Sequence, residues 1–485
     1  MSYNDILREQ ILTRLRYDNP WWVYGKIPSD FSAMNHRLYM NLFFPLVFDM
    51  SVRRSVILMG PRRVGKTVMI YHTIEKLIKE GVNPQKIIYV SVETPIYSNI
   101  PLEELFDLAR QALLQKENYE GFYVFYDEIQ YLKDWELHLT SLTDSYRKTK
   151  FIASGSAAAA LKKKSNESGA GRFTDFMLPP LTFFEYINLL GYENLIIPKT
   201  IHWAGTDRSV FDTIDIDKLN EHFLNYINFG GYPEILFSDK IKSDPGQYIL
   251  HDIVDKVLLR DLPSLYGISD TQELNRLFNY IAFRSGCEFS YENISKESEV
   301  KKETLKKYIQ YLEAAFLIKV VHKIDMKARF FQRITAFKIY LTNPSLRCAL
   351  FSPIKEDDEA MGNLVETAIY AQWIQRENNN VYYANWSNGK KNGEVDIVGL
   401  DTSKLKPSWA VEIKWSDRYY DRPADLKSLL QFLENNNINE AIVSSKKLYG
   451  QKELKTLSLQ FIPSSIYAYI VGKNTIEKKQ QAMGL

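Results

Sequence analysis

The stretch "SVILMGPRRVGKTVMIY", residues 55–71, decides the fold. It opens with a short apolar run of the kind that forms a buried strand, and it closes with the start of a helical pattern. Between them lies "GPRRVGKT", residues 60–67, which matches the G-x-x-x-x-G-K-[ST] phosphate loop. The loop therefore joins a strand to a helix, which is the context that its mechanism requires. The sequence predicts a P-loop nucleotide-binding domain.

The loop residues have separate physical roles. Gly60 and Gly65 let the backbone curl so that successive N–H groups face the phosphates, and the helix N-terminus adds a favourable dipole. Lys66 is expected to reach the β- and γ-phosphates, while Thr67 is expected to ligate Mg²⁺. The predicted ATP-binding residues are Gly60, Pro61, Arg62, Arg63, Val64, Gly65, Lys66, Thr67 and Val68.

A phosphate loop needs an acidic partner, and "FYVFYDEIQ", residues 122–130, supplies one at the end of an apolar strand. Asp127 is expected to hold Mg²⁺ through water, and Glu128 to orient or deprotonate the attacking water. The alternative for Glu128 is a surface glutamate that follows a strand. The next strand, "KFIASGS", places Ser154 at its tip, where it can contact the γ-phosphate or the water.

Composition narrows the class of protein. The chain has 485 residues, 45% hydrophobic and 25% charged, which predicts two to four folded domains. Cys287 and Cys348 supply neither a disulfide framework nor a paired zinc motif, and the N-terminus shows no apolar signal region, so we expect a reducing cytoplasm. No apolar run approaches the ~18 to 20 residues that span a bilayer, so we expect no membrane partner. The net charge of +2 requires any nucleic-acid contact to come from a local patch.

Strands alternate with helices after residue 55, which predicts a mostly parallel α/β sheet. Residues from about 180 to 270 lose this alternation and are predicted to be helices joined by loops. The predicted domains are an N-terminal helical segment (1–50), a P-loop core (51–190), a helical lid (191–271), a winged-helix-like module (272–350) and a C-terminal α/β domain (355–485).

The winged-helix prediction rests on "KKETLKKYIQYLEAAFLIKVV", residues 301–321. Its apolar residues line one helical face, and four lysines cluster near its start. A helix-turn-helix followed by a hairpin can meet DNA in this way. The alternative is a lysine-rich face that only contacts water. The lysines are Lys301, Lys302, Lys306 and Lys307.

Two further segments, "EVDIV" (394–398) and "AVEIKW" (410–415), carry charges within strand patterns. Asp396 lies between apolar residues. Glu412 and Lys414 flank Ile413, so their side chains should project from the same strand face. A metal site uses such a geometry, whereas an ordinary pair of strands would point these charges into water.

Taken in order, several segments resemble the AAA-related P-loop ATPases of the archaeal-ATPase type. They are "GPRRVGKT", "YVFYDEIQ", "IASGSAAA", "GAGRFTDFMLPPLTFFEY", "INFGGYPEI" and "VLLRDL". The resemblance implies an AAA-like α/β core with a helical lid, ATP and Mg²⁺ as cofactors, and Ser154 as a sensor. It also implies an arginine that stabilises the transition state, often from a neighbouring subunit, with Arg172 and Arg260 as candidates. Either arginine could instead be a structural ion-pair partner.

The segments "EVDIV" and "VEIKW" resemble the C-terminal domain of unknown function usually fused to these ATPases, which has a PD-(D/E)xK nuclease-like core. The resemblance implies that Asp396 and Glu412 bind Mg²⁺ or Mn²⁺, that Glu366 assists, and that Lys414 acts on the water. Asp396 is preceded by Val395 instead of proline. A degenerate nuclease fold that only binds nucleic acid or protein is the alternative.

The sequence therefore predicts an ATP-hydrolysing ATPase that acts on DNA. Its expected partners are ATP, DNA, proteins and further copies of the chain. The rival hypothesis is an NTP-driven regulatory switch or scaffold that binds protein partners and carries an inactive nuclease fold. A kinase that uses the same loop is a more distant alternative, because the Asp-Glu pair suits activation of water.

Overall fold

The computed structural model describes residues 3–113, 119–156, 171–203, 206–325, 336–374, 381–388, 391–401 and 403–482. The chain divides into two compact units. The first runs to Pro179 and takes in the C-terminal residues from Lys479, and the second runs from Pro180 to Lys478. The α/β fold class with a parallel sheet core is confirmed. Across the described ranges, every helix is too short or too polar to cross a membrane.

The first unit is built on a five-stranded sheet in the order β2-β3-β4-β1-β5. All neighbouring strands are parallel. Every residue of β1, β3 and β4 is buried, because helices cover both faces of such a sheet. The strands are β1 (Ser55–Met59), β2 (Ile87–Ser91), β3 (Tyr123–Asp127), β4 (Lys150–Gly155) and β5 (Phe173–Met177).

The N-terminal helical segment covers the open edge of this sheet. Asn19 donates from Nδ2 to the carbonyl of Tyr89 and accepts from its N–H through Oδ1, at 2.9 and 2.7 Å, so it replaces a neighbouring strand. The first helix ends at Asp18, before Pro20. The helices of this unit are α1 (Tyr3–Asp18), α2 (Trp21–Tyr24), α3 (Ser29–Ser32), α4 (Met40–Phe48), α5 (Lys66–Lys79), α6 (Leu102–Ala112) and α7 (Trp135–Ser145).

The second unit begins with a helix and a β-hairpin. The predicted lid of helices and loops therefore contains an antiparallel pair of strands, β6 (Ile196–Trp203) and β7 (Thr206–Thr213). Strand β7 lacks a run of apolar residues and is partly exposed, so its sequence gives no strong strand pattern. Each of the two strands is stabilised by its hydrogen bonds to the other. Such pairing cannot be recognised from the residue pattern of one strand alone.

A nine-stranded mixed sheet forms the centre of the second unit, in the order β15-β16-β14-β13-β12-β11-β9-β10-β8. Strand β9 pairs in parallel with β11, so one sheet continues through the predicted winged-helix-like and C-terminal domains. The strands are β8 (Glu288–Phe289), β9 (Ile318–Ile324), β10 (Phe337–Leu341), β11 (Val381–Asn388), β12 (Lys391–Asp401), β13 (Lys406–Glu412), β14 (Glu440–Ser445), β15 (Gly450–Leu454) and β16 (Leu457–Pro463).

Helices pack against strands of this sheet. Two π-helical segments, Leu250–Asp255 and Val257–Asp261, interrupt the helical stretch before residue 270. The helices are α8 (Phe183–Leu189), α9 (Ile216–Phe229), α10 (Pro233–Phe237), α11 (Asp239–Lys242), α12 (Pro245–Ile249), α13 (Leu262–Tyr266), α14 (Thr271–Phe283), α15 (Tyr291–Ser298), α16 (Lys302–Ala314), α17 (Ser345–Leu350), α18 (Met361–Ile374), α19 (Arg418–Asp421), α20 (Lys427–Asn436) and α21 (Ser464–Ala482).

The predicted winged-helix-like region has the element order α14, β8, α15, α16, β9, β10, and its three strands pair antiparallel in the order β9-β10-β8. Ser290 caps α15 by accepting from the N–H of Asn293. The tip of the predicted hairpin, residues 326–335, lies outside the described residues.

Candidate functional site

The phosphate loop lies between β1 and α5, as its sequence predicts. Gly65 has φ +92° and caps α5, and Arg63 has φ +63°, so the loop turns through the left-handed region twice. A Cβ built on Gly60 would lie 2.1 Å from the carbonyl oxygen of Leu178. Position 60 therefore accepts only glycine, and the curled backbone leaves its N–H groups at a helix N-terminus.

Two basic side chains hold the loop. Lys66 is buried and donates to the carbonyls of Gly60 and Pro61, at 3.1 and 2.9 Å. Arg37, from the N-terminal segment, donates to the carbonyl of Val64 at 2.8 Å. The Lys66 ammonium is thus folded over the loop, within reach of the space where the loop pattern places phosphates. Nothing in the local sequence around Arg37 marks it as a neighbour of the loop.

Asp127 lies at the end of β3 beside the loop. Its carboxylate accepts hydrogen bonds from Thr67 Oγ1 at 2.8 Å, from the Tyr89 hydroxyl at 2.9 Å and from Ser154 Oγ. Burial raises the pKa of Asp127, and neighbouring Glu128 adds to this, while the three hydroxyl donors oppose it. Thr67 and Asp127, both predicted around Mg²⁺, are therefore brought together. The sequence did not point to Tyr89, which reaches Asp127 because β2 pairs with β3.

Glu128 is held in a fixed position. Its backbone has φ +55°, which is uncommon for a residue with a side chain, and its N–H donates to Ser154 Oγ at 3.2 Å. Its carboxylate accepts from the side-chain amide of Gln130, whose Oε1 in turn accepts from the N–H of Ser156 at 3.2 Å. The structure thus brings Glu128 and Ser154 together, and it adds Gln130, which sequence reasoning passed over although it stands only two residues beyond Glu128.

The two candidate arginines lie in different units of the chain. Arg172 precedes β5, and its carbonyl accepts from the N–H of Ser55. Ser55 begins β1, whereas the phosphate loop follows the other end of that strand. Its Nε donates to both carboxylate oxygens of Asp144, at 3.0 and 2.9 Å. In its own chain Arg172 is a structural ion-pair partner. Arg260 belongs to the second unit and is exposed.

We expect Gly60→Ala to abolish nucleotide binding, because the new Cβ has to displace the backbone at Leu178 and with it the curled loop. Binding of a fluorescent ATP analogue to the folded variant measures this. Gly246→Ala is the matched control: there the new Cβ meets only one side-chain atom, at 3.9 Å. Equal affinity of Gly60→Ala and wild type would contradict the loop geometry.

In the second unit, strands β12 and β13 bring together three of the four residues predicted for the C-terminal site. Lys414 Nζ lies 2.7 Å from Glu412 Oε1 and 3.6 Å from Asp396 Oδ2. Asp396 Oδ2 also accepts from the N–H of Ile413 at 2.7 Å. The two acids are buried, and Glu412 Oε2 has no hydrogen-bond partner. The alternative in which these charges point into water is therefore wrong.

Glu366, on α18, enters the same cluster through a residue that the sequence did not single out. Lys338 on β10 places its Nζ 2.8 Å from Glu366 Oε1 and 2.6 Å from Glu394 Oε1. The Tyr340 hydroxyl donates to Glu366 Oε1 at 2.5 Å. A signal was present in the sequence, since Lys338 interrupts the apolar strand "FKIYL". We call Lys338, Glu366, Glu394, Asp396, Glu412 and Lys414 the acid-lysine cluster.

Electrostatics join the members of the acid-lysine cluster. Burial, followed by the charge of Asp396, raises the pKa of Glu412 to about 8, although Lys414 opposes the shift. Burial also raises the pKa of Glu366, against the effect of Lys338. In the part of the chain that the structure describes, three or more His, Cys, Asp or Glu side chains are nowhere grouped so as to hold a metal ion. The predicted second metal site is not formed in this arrangement.

Comparisons with known proteins agree with the first site. Residues 52–187 match the model of an AAA domain, and residues 220–358 match a domain of unknown function (DUF8612). The chain therefore carries a P-loop AAA domain, built on the five-stranded parallel sheet and containing the phosphate loop, Asp127 and Glu128. The C-terminal nuclease-like resemblance has no counterpart among these family matches.

Relatives of similar length exist in archaea and bacteria. The chain is 26% identical over 399 residues to the uncharacterized protein MJ1544 of Methanocaldococcus jannaschii, covering 80% of this chain and 81% of that protein. It is 21% identical over 416 residues to an uncharacterized protein of Haemophilus influenzae, covering 84% and 92%.

Solved structures give a weaker likeness. The Aeropyrum pernix ORC1 protein in complex with DNA shares 12% identity over 68% of this chain and 95% of its own, with a TM-score of 0.32. C. elegans PCH-2 shares 11% over 49% and 62%, with a TM-score of 0.28.

Proposed function

We propose that the chain binds and hydrolyses ATP at the phosphate loop. The observation that carries this proposal is the direct hydrogen bond between Thr67 and Asp127, with Glu128 next to Asp127 in the left-handed backbone region. A hydroxyl and a carboxylate are oxygen ligands of the type that Mg²⁺ takes next to phosphates. When bound, Mg²⁺ would neutralise charge on the β- and γ-phosphates.

The chain's own groups supply the remaining steps. Lys66 turns from its two backbone carbonyls to the phosphates, and the loop N–H groups orient them. The Glu128 carboxylate accepts a proton from water or orients it. Ser154 accepts from the backbone N–H of Glu128 and donates to the Asp127 carboxylate, so it holds the backbone of residue 128 beside Asp127. A water-activating acid favours hydrolysis over phosphoryl transfer to a second substrate.

Lys66→Ala is expected to weaken ATP binding at least about 100-fold, because removing a charge-assisted contact to phosphate costs roughly 3 kcal/mol or more. Titration with a fluorescent ATP analogue measures the loss. Lys79→Ala, in the same helix but pairing with Glu75 on the surface, is the matched control and should bind normally. Normal affinity in the Lys66 variant would refute the assignment of the loop.

We further propose that ATP turnover serves an action on DNA, through the winged-helix-like region. The order of its elements supports this, since two consecutive helices followed by a hairpin are what such modules present to DNA. The lysines at the start of α16 are partly engaged: Lys302 pairs with Glu292, and Lys306 pairs with Glu303 at 2.9 Å. Surface pairs of this kind are weak, so a DNA phosphate can replace the carboxylate partner.

Reversal of Lys301, Lys302, Lys306 and Lys307 to glutamate is expected to weaken DNA binding and to reduce the dependence of the affinity on salt, because each phosphate contact that is lost no longer releases condensed counterions. Filter binding across a salt series measures both. The control reverses four exposed lysines elsewhere, Lys26, Lys133, Lys240 and Lys404. If both quadruple variants bind DNA alike, the lysines of α16 form only a solvated face.

A second candidate function is a regulatory switch in which ATP controls binding of protein partners or of further copies of the chain, with an inactive nuclease-like fold. The acid-lysine cluster favours it, because each carboxylate that was expected to bind metal is paired with an ammonium group: Glu366 with that of Lys338, and Asp396 and Glu412 with that of Lys414. A plasmid-nicking assay in Mn²⁺ separates the two. Nicking that is lost in Lys414→Ala supports an active nuclease, and its absence in the wild type supports the switch.

A further inference from the structure

Lys338 lies in an environment that demands a cation. Its side chain is 2% exposed, and it stands between Phe337 and Ile339 in a strand whose residues are all buried. Burying an ammonium group is costly unless carboxylates surround it. Here Glu366 and Glu394 both lie within 2.8 Å of Nζ. The two carboxylates come from separate elements, α18 and β12, so the ammonium joins them as a bound metal ion would.

Glu394 and Asp396 are two residues apart on β12 and project from the same face of the strand. Lys338, which pairs with Glu394, therefore lies on the side of the sheet that carries Asp396. Asp396 acts electrostatically on both Glu366 and Glu412, so these acids lie close enough to be treated as one row of interacting carboxyls. Four carboxyls face two ammonium groups, and Glu412 Oε2 is left without a partner although its side chain is 91% buried. The row retains an oxygen that a further cation could satisfy.

We propose that Lys338 is a built-in cation that occupies the acid-lysine cluster in place of a divalent metal ion, so that metal and lysine exclude each other. Divalent cations enter only when the Lys338 ammonium is removed from Glu366 and Glu394. Because Lys338 is carried by β10 of the winged-helix-like region, the metal-free state of the cluster is tied to the position of that strand. This exclusion is a property of the second unit and does not depend on ATP hydrolysis.

The test is Mn²⁺ binding to the full-length, nucleotide-free chain, followed by the electron paramagnetic resonance signal of free Mn²⁺. Lys338→Met keeps an unbranched side chain, one heavy atom shorter than lysine, and removes its charge. We expect this variant to bind one more Mn²⁺ per chain than the wild type, with a dissociation constant in the sub-millimolar range typical of weak carboxylate sites. Any Mn²⁺ binding by the wild type at the cluster should be at least about 10-fold weaker. Lys338→Arg retains the charge and should gain nothing.

Two additions make the test decisive. Adding Glu366→Gln and Glu394→Gln to Lys338→Met should remove the extra Mn²⁺, because these are the two carboxylates that the Lys338 ammonium joins. A folded Lys338→Met chain that gains no Mn²⁺ overturns the proposal. If that variant does not fold, Lys338→Gln replaces it, and the wild type still decides: Mn²⁺ uptake by the wild-type chain that Glu366→Gln with Glu394→Gln abolishes would show that Lys338 excludes nothing.

Discussion

Glu128→Gln is expected to lower steady-state ATP hydrolysis by a factor of about 100 to 10,000, the range that a positioned general base contributes, while ATP still binds. Glutamine has the same size as glutamate and can keep a hydrogen bond to Gln130. It cannot accept the proton of the attacking water. Because the interaction matters in the transition state, turnover falls while ground-state binding is retained.

Phosphate release measures the turnover, and a fluorescent ATP analogue measures the binding. The backbone of residue 128 has φ +55°, which costs the same for glutamine as for glutamate, so the fold at the end of β3 is not altered. Glu80→Gln, an exposed change just after α5, is the matched control. Hydrolysis by Glu128→Gln at the wild-type rate would remove Glu128 from the reaction.

The positions of the residues in the first site could be predicted nearly in full, because these residues are adjacent in sequence. Gly60 to Thr67 lie at one junction of a strand and a helix, and Asp127 and Glu128 lie at the end of one strand, so local patterns indicate where they are. Their catalytic roles stay predictions. Tyr89 and Arg37 could not be predicted in this way. They reach the site through strand pairing and through the packing of the N-terminal segment, which depend on contacts between residues distant in the chain.

The second site was predicted only in part. The alternation in "EVDIV" and "AVEIKW" correctly indicated that Asp396, Glu412 and Lys414 converge, since strand period alone sets their faces. The pattern did not indicate the partner of Glu366. Lys338 arrives on β10, which joins the sheet through β9 and its parallel pairing with β11, and no local pattern predicts that register. A lysine is therefore paired with a carboxylate that was predicted to assist a metal ion, and only the tertiary structure reveals this lysine.

The acid-lysine cluster also predicts how stability depends on pH. The native pKa of Glu412 is raised to about 8 by burial and by Asp396, whereas an unfolded glutamate has a pKa of about 4.3. Between these values the native state holds one more proton than the unfolded state. Unfolding then releases a proton, so the contribution of Glu412 to stability is full below about pH 4.3 and is lost as the pH rises to 8.

Glu412→Gln is therefore expected to gain stability relative to the wild type as the pH rises. The glutamine cannot ionise, so the difference in unfolding free energy between variant and wild type should grow by about 1.4 kcal/mol per pH unit between about pH 5 and 7.5, and level off above 8. Unfolding midpoints of the two chains across that pH range measure the trend, and loss of the Lys414 contact only shifts it by a constant.

Glu359→Gln, at an exposed carboxylate, controls for the loss of one acid. A difference between Glu412→Gln and wild type that stays level from pH 5 to 8 would show that Glu412 is ionised in the native chain, leaving a buried charge for which Lys414 alone compensates.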